Sequence, residues 1–328
     1  MTSRPSTGKP TTTAGGAAGS MSPAARDLRQ RLQARPITIP PRWLYDDRGS
    51  DLFAEITRLP EYYQTEAERR LLADHAALIA EITSADTVVE LGSGTGDKTR
   101  TLLDAFVAHG EIRRFVPLDV SEATLLRSAA ELRERYPDLA VEPVVADFTE
   151  HLHLLPDGTT RLVMFLGGTI GNFYREERSA FLGALADVLR PGDWVGIGID
   201  LMKPVDRIMA AYDDDDGLTD AFVRNALHVI NRELDGDIDV GNFEYVPLWD
   251  GREERVDMRL RACEPEHATI GELGLSIDLE ATEELRVEIS TKFRPERFGG
   301  ELVDAGFCDV HTFTDSGEDF GLVLARRC

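Results

Sequence analysis

The stretch Thr87-Val-Val-Glu-Leu-Gly-Ser-Gly-Thr-Gly-Asp-Lys-Thr99 places an acid, three glycines and a lysine where a nucleotide-like ligand could be held. An apolar run that turns at glycines into a helix start predicts strand, turn and helix. Glycine tolerates positive φ and lets a ligand approach the backbone closely. A helix start leaves N–H groups free and carries partial positive charge. Open α/β sheets hold cofactors in this way. Gly92, Gly94 and Gly96 recur at every second residue, whereas the dinucleotide fingerprint leaves two residues before its third glycine; here Asp97 stands at that place. A carboxylate beside a pyrophosphate is repelled, so the spacing disfavours NAD. Lys98 follows without the rest of a phosphate-loop pattern. S-adenosylmethionine, which has no phosphate and needs hydroxyl, amine and carboxylate partners, fits the pattern better.

The elements that must position these groups are legible as an alternation. Phe115–Val120 reads as a strand ending in Asp119, whose carboxylate can accept from both ribose hydroxyls. Val144–Phe148 reads as a third strand with Asp147 at its end. Arg161–Asn172 runs into another glycine turn, and Leu189–Asp200 is a helix end, a turn and a fifth strand. Between them lie amphipathic stretches, such as Leu102, Leu103, Phe106 and Val107 on one face. Strands alternating with helices indicate an α/β fold with a doubly wound parallel sheet. Taken singly, each terminal acid could equally cap a helix or sit in a solvated loop; the succession carries the reading. After Asp200 the pattern breaks. Ala221–Ile230 reads as a helix, Val256–Ala262 and Leu285–Ile289 alternate as strands, and Phe320–Ala325 supplies a closing strand.

Longer segments carry a more specific likeness. They are Trp43-Leu-Tyr-Asp46, Gly49-Ser-Asp-Leu-Phe53, Ile56-Thr-Arg-Leu-Pro-Glu-Tyr-Tyr63, Glu90-Leu-Gly-Ser-Gly-Thr95 with Lys98-Thr-Arg100, and Phe165-Leu-Gly-Gly-Thr-Ile-Gly-Asn172. Ala211-Tyr-Asp-Asp214, Asn231-Arg-Glu-Leu234, Glu253-Glu-Arg-Val-Asp-Met258 and Glu288-Ile-Ser-Thr-Lys-Phe-Arg-Pro-Glu296 complete the set. In these the chain resembles the histidine-specific Nα-methyltransferases of ergothioneine biosynthesis, over nearly all its length beyond the first two dozen residues. The resemblance implies a doubly wound Rossmann-like class I methyltransferase sheet with a second, inserted α+β substrate domain. Residues 23–65 with 202–290 would bind substrate, and 66–201 with 291–328 would bind S-adenosylmethionine. The implied activity is trimethylation of the L-histidine α-amine to hercynine, with S-adenosylhomocysteine as by-product and no metal.

The same resemblance assigns roles residue by residue. The Gly92 carbonyl and Lys98 would hold the amino-acid end of the cofactor, Asp119 its ribose, and Asp147 and the Phe148 N–H its adenine. Asn172 and Tyr212 would hold the histidine α-carboxylate. Tyr62, Glu288 and Ser290 would read the imidazole, and Tyr45 and the Gly167 carbonyl would lie near the reacting amine. Relatives acting on other substrates would differ at positions equivalent to Met258 and Glu288, which here match the histidine type. Gly168 departs from a common serine. Without the resemblance, Glu288 reads as a solvated strand charge, Tyr62-Tyr63 as core and Asn172 as a turn residue. A methyltransferase of another amino acid on the same scaffold, or a nucleotide-binding oxidoreductase, are the alternatives.

Composition narrows the class. The 328 residues include 59 acidic and 36 basic side chains, a net charge of −23, and the pI is near 4.7. Such a surface repels nucleic acid. No signal-type or membrane-spanning apolar run is visible, so a cytoplasmic enzyme acting as a monomer on a small molecule is expected. Residues 1–22, rich in Thr, Ser, Gly, Ala and Pro, are expected to be disordered. Cys263, Cys308 and Cys328 are odd in number and scattered, which suggests reduced thiols. His151 and His153 lack a third ligand at a metal spacing. Asp235, Asp237 and Asp239 begin like a calcium loop, but Val240 and Val246 replace its glycine and glutamate, so a polar loop is expected. Asp213–Asp216 reads as a solvated acidic turn.

Overall fold

The computed structural model describes residues 21–328 apart from Thr95. Residues 1–20 of the expected disordered tail lie outside the described residues, but Met21 and Ser22 do not. Ser22 Oγ accepts from the Ala25 N–H at 3.1 Å and Pro23 follows at the first helical position, so Ser22 opens helix α1 (Pro23–Gln33). The tail boundary is corrected accordingly. Strand β1 (Ile37–Thr38) and helices α2 (Asp47–Ile56) and α3 (Tyr63–Thr83) come next.

The alternation then runs β2 (Thr87–Leu91), α4 (Asp97–His109), β3 (Arg114–Asp119), α5 (Glu122–Arg135), β4 (Ala140–Val141), β5 (Val144–Val145), β6 (Arg161–Phe165), α6 (Arg175–Val188) and β7 (Trp194–Asp200). Helices α7 (Val205–Ala210) and α8 (Leu218–Leu234) lead to β8 (Phe243–Asp250), β9 (Arg255–Ala262), β10 (Glu266–Ile270), β11 (Leu275–Leu279) and β12 (Glu284–Thr291). Helix α9 (Pro295–Asp304) and strands β13 (Phe307–Thr314) and β14 (Phe320–Arg327) close the chain.

Eight strands form the large sheet, ordered β13-β14-β7-β6-β2-β3-β4, with β5 also pairing β3. β2, β3, β6 and β7 are parallel, and β14 pairs antiparallel with β7 and β13. Helices cover both faces. One core joins Leu71, Leu102, Phe106 and Leu132 to Val88 and Phe115; the other joins Phe181, Leu185 and Phe298 to Val89, Leu91 and Val116. All residues of β2, β6 and β7 are buried, as parallel strands covered on two sides require. This is the α/β doubly wound arrangement that the alternation predicts.

A second, four-stranded sheet has the order β1-β12-β9-β8, beside the β10-β11 hairpin. Its core gathers Leu28, Trp43 and Ile56 from the early helices with Phe222, Ala226, Ile230 and Leu260. The two sheets meet where β12 ends. There the Phe293 N–H donates to Asp200 O at 2.7 Å, and the Met202 N–H donates to Phe293 O at 2.9 Å. The last residues of β12 are thereby tied to the carboxyl end of β7.

Several expectations are corrected. The strand expected over Val144–Phe148 stops at Val145, leaving Asp147 in the following loop. Asp214 is not merely solvated: its carboxylate accepts from the Leu218 and Thr219 N–H groups at 2.7 and 2.9 Å, at the start of α8. Cys308 and Cys328 are joined as a disulfide, while the exposed Cys263 is free. Antiparallel pairing of β13 with β14 brings the two Cα atoms to 5.8 Å, a proximity that a separation of 20 residues in sequence does not reveal. Among the described residues, no helix is long and apolar enough to cross a membrane.

Candidate active site

At the carboxyl end of β2 the chain turns through Gly92, Gly94 and Gly96, all with positive φ (+69°, +51° and +71°). A side chain there would be strained, and a Cβ at Gly96 would also come within 2.8 Å of Ser128 Oγ. Asp119, at the end of β3, braces this turn: its carboxylate accepts from Gly94 N at 2.9 Å and from Ser121 N at 2.9 Å. Ser93 Oγ is buried with no hydrogen-bond partner among the described residues. The Phe148 ring lies against the turn, 3.5 Å from where a Gly92 Cβ would be, and packs edge-on to Phe165. Asp147 accepts from Thr149 N and Oγ1 at 2.8 and 2.6 Å, and its other oxygen faces Arg42 at 3.3 Å.

Beneath the turn lies a set of buried carboxylates. Glu90 accepts from the Thr99 hydroxyl. Burial pushes its pKa up to about 8, against the pull of Thr99 and Lys98. Glu68, from α3, pairs with the Lys98 ammonium and accepts from the Gly167 N–H at 2.8 and 3.0 Å. Gly167, at φ +80°, opens the second glycine turn. Glu68 therefore links Lys98 to the Gly167 turn. Three carboxylates and one ammonium around a glycine turn suit a ligand that carries an ammonium, a carboxylate and a diol.

Across the cleft, β12 presents Glu288 and Ser290 on one face, two residues apart. Met258 of β9 is directly opposite Glu288. Asn172, at the end of a short 3₁₀ turn, donates to Glu288 Oε1 at 2.8 Å. Gly171 allows that turn to lie on β12, because a Cβ there would meet Thr291 O at 2.9 Å. Glu288 is 7% exposed, and burial lifts its pKa to about 8 although Lys292 draws it down. Tyr45, Tyr62 and Tyr212 all have hydroxyls held well above the ordinary phenol range, first by burial, with the Glu288 charge contributing to each. Tyr45 and Tyr62 are half-buried and pack on Phe53, with ring centroids 5.7 and 6.1 Å away.

Tyr212 donates to Ser290 Oγ at 2.7 Å and accepts from Gln64 Nε2 at 2.7 Å. Lys292, wholly buried, donates to Asp200, Tyr212 and Ser290, each at 2.7 Å. Asp200 also accepts from Tyr63 at 3.0 Å and pairs with Lys203 at 2.5 Å.

The structure thus gathers Tyr45, Tyr62, Asn172, Tyr212, Met258 and Ser290 around Glu288. Gly92, Lys98, Asp119, Phe148 and Gly167 surround the glycine turns, and Asp147 sits further out in its loop. Lys98 meets Glu68, Asn172 meets Glu288 and Tyr212 meets Ser290, so each has a partner within the chain. Gln64, Glu68, Asp200 and Lys292 went unnoticed in the sequence. Buried charges look like surface charges when only residue type is known. The available signals were spacing: Gln64 and Glu68 stand one helical turn apart, and Lys292 continues the Glu288, Ser290 alternation. Among the described residues, no group of His, Cys, Asp or Glu is arranged to hold a metal.

Comparison with known proteins adds four findings. Residues 24–327 match the family described as "Histidine-specific methyltransferase, SAM-dependent". A histidine N-alpha-methyltransferase from Mycobacterium tuberculosis (strain CDC 1551 / Oshkosh) is 48% identical over 302 residues, 92% of this chain and 94% of that one. A protein of the same description from Mycolicibacterium smegmatis gives the same identity and coverage. Ergothioneine biosynthesis protein 1 of Schizosaccharomyces pombe is 35% identical over 224 residues, covering 65% of this chain and 29% of that protein.

Proposed function

Because this chain belongs to the histidine-specific, S-adenosylmethionine-dependent methyltransferases, we propose that it trimethylates the α-amine of L-histidine to hercynine, a step of ergothioneine biosynthesis. The single observation that carries the substrate reading is Glu288, a buried carboxylate flanked by Asn172 and Ser290 on the strand facing the cleft. A buried acceptor beside a hydroxyl suits an imidazole, which in its neutral form donates from one nitrogen and accepts at the other. An apolar side chain would leave those groups unpaired, and such sites discriminate strongly.

The cofactor supplies a methyl group on a sulfonium, already activated for displacement. In this reading Lys98 and the Gly92 carbonyl hold its amino-acid end, Asp119 its ribose hydroxyls, and Asp147 with the Phe148 N–H its adenine. Ser93, whose hydroxyl lacks a partner among the described residues, is available to the same ligand. What remains for the protein is alignment of the amine, which lowers the barrier by pre-organisation. The amine must also be free of its extra proton. A carboxylate beside it would stabilise the ammonium, whereas neutral oxygens in a desolvated site do not. Tyr45, kept as a neutral phenol by its raised pKa, and the Gly167 carbonyl have that character. Asn172 keeps one amide hydrogen for the α-carboxylate after donating to Glu288, whereas Tyr212, expected to share that role, spends its hydroxyl hydrogen on Ser290.

We assign residues 23–65 with 202–290 to the substrate-binding unit and 66–201 with 291–328 to the donor-binding unit, a division supported by their separate cores. We place the protein in the cytoplasm as a monomer acting on a small molecule without a membrane, and its net charge of −23 supports the absence of nucleic acid among its partners. The deciding experiment incubates the protein with S-adenosylmethionine and each amino acid in turn and reads product mass. Histidine gaining three methyl groups is the expected result. Preferential methylation of another amino acid, or none of histidine, overturns the reading.

A further inference from the structure

We infer that Lys292, seated on Asp200, is a positioning residue that orients the hydroxyl hydrogens of Tyr212 and Ser290, so that Ser290 offers the substrate a donor and not an acceptor. The inference rests on the histidine reading above and concerns how the ring is read. It follows from counting hydrogens. Asp200 can only accept, and although burial draws Lys292 below the usual lysine range, the Asp200 carboxylate 2.7 Å away favours its ammonium form. The three ammonium hydrogens are then all committed, to Asp200, Tyr212 and Ser290. Lys292 has none left for a substrate carboxylate.

Gln64 is oriented by the same carboxylate. Its Nε2 lies 2.9 Å from Asp200, where an amide oxygen would be repelled, so its second hydrogen points to Tyr212 Oη at 2.7 Å. Tyr212 Oη accepts from both Lys292 and Gln64, which fills its two lone pairs. Its own hydrogen must go to Ser290 Oγ. Ser290 Oγ accepts from Tyr212 and Lys292 and is likewise full. One hydrogen of Ser290 remains, with nothing inside the protein left to receive it in this set.

Once ionised, Glu288, two residues back on the same face and about 6.6 Å away along the strand, supplies an acceptor. The pair therefore presents one donor and one acceptor across a gap that fits a small planar ring. This polarity selects a neutral imidazole with its N–H on Glu288 and its bare nitrogen on Ser290. An imidazolium, with two donors, would meet the Ser290 hydrogen head-on. Discrimination between the ring's charge states thus originates in a lysine that never touches the ring.

The test starts with the unaltered enzyme, saturated with S-adenosylhomocysteine and ring-labelled ¹⁵N-histidine. Two distinct nitrogen signals are expected, one protonated and one unprotonated but hydrogen-bonded. Two protonated nitrogens overturn the inference. Kinetics on variants then ask whether Lys292 acts through Ser290. Lys292→Met is expected to raise the KM for histidine by about tenfold or more, with S-adenosylmethionine affinity within about twofold. In a Ser290→Ala background the same change should add less than about twofold, because the group it orients is gone. Equal effects in both backgrounds, or loss of affinity for both substrates together, mark a merely structural lysine and overturn the inference. If Lys292→Met does not fold, the same cycle is run with Lys292→Gln, which keeps a polar group beside Asp200 while Lys203 still pairs with that carboxylate at 2.5 Å. Failure of the unaltered enzyme to turn over histidine would instead sink the function proposed above.

Discussion

The two regions proposed to hold the methyl donor and its acceptor are built by different means. Around Gly92–Gly96 the positioning is done by backbone: positive-φ glycines, N–H groups and one carboxylate, Asp119, bracing the turn. Its residues come mainly from one short stretch and the strand next to it. Around Glu288 the positioning is done by side chains from five separate parts of the chain, Gln64, Asn172, Asp200, Tyr212 and the Glu288–Lys292 strand end. The contrast shows that a ligand shared by many enzymes can be held by turn geometry. A ligand that must be told from its analogues needs donors and acceptors whose directions are settled in advance.

The largest effect expected from breaking this contrast is at Glu288. Glu288→Ala removes the ring's acceptor and strands Asn172, and should lower kcat/KM for histidine by about a hundredfold or more while calorimetric binding of S-adenosylmethionine persists. Unchanged histidine kinetics would show that the polar strip is not the reader. Next is Asp119→Ala, which removes the brace and the diol partner together. S-adenosylmethionine should bind about tenfold or more weaker, with the KM for histidine little changed once the cofactor is saturating. Normal cofactor titration would mean that the glycine turn works without its carboxylate.

Glu90 sharpens the comparison through pH. Its folded pKa of about 8 lies above the ordinary 4.5, so the folded protein holds a proton that the unfolded chain releases across that interval. The stability it contributes is fully present below the unfolded value and is lost as pH rises towards 8. Glu90→Gln should therefore gain in Tm over the parent as pH is taken from about 5 to about 8, and a gap that stays constant would refute the buried-acid account. The smallest effect belongs to Arg42→Ala. Its ion pair with Asp147 is partly exposed, so cofactor affinity should change less than about threefold.

Much of the fold was legible because parallel strands and their helices impose strong periodicities. Val88, Val89 and Leu91 could belong only to a buried strand, and the glycine spacing announced the turn. The end of β5 was misplaced because its pairing with β3 covers only two residues, and the end of a strand is set by its neighbour's hydrogen bonds. Cys308 and Cys328 escaped for a similar reason, since strand register decides their proximity. In the site, Asn172 and Glu288 could be named from motif segments and Asp119 from its place at a strand end. Lys292, inside the same segment as Glu288, drew no role, because nothing in a lysine's identity says that an aspartate 92 residues away will bury it. The polar network is a property of three-dimensional closure.

The stitching of Phe293 to Asp200 and Met202 has one more consequence. The strand that carries Glu288 and Ser290 is fastened by main-chain bonds to the end of β7, in the sheet that carries the donor turn. Under the function proposed above, covalent rise and strand register set how far Glu288 and Ser290 stand from the glycine turn. One residue inserted between Ser290 and Phe293 would either break that seam or turn the reader residues to the opposite side of their strand. Evolution of new substrates on this scaffold is accordingly channelled into exchanging side chains at fixed stations, with the length of that segment left alone.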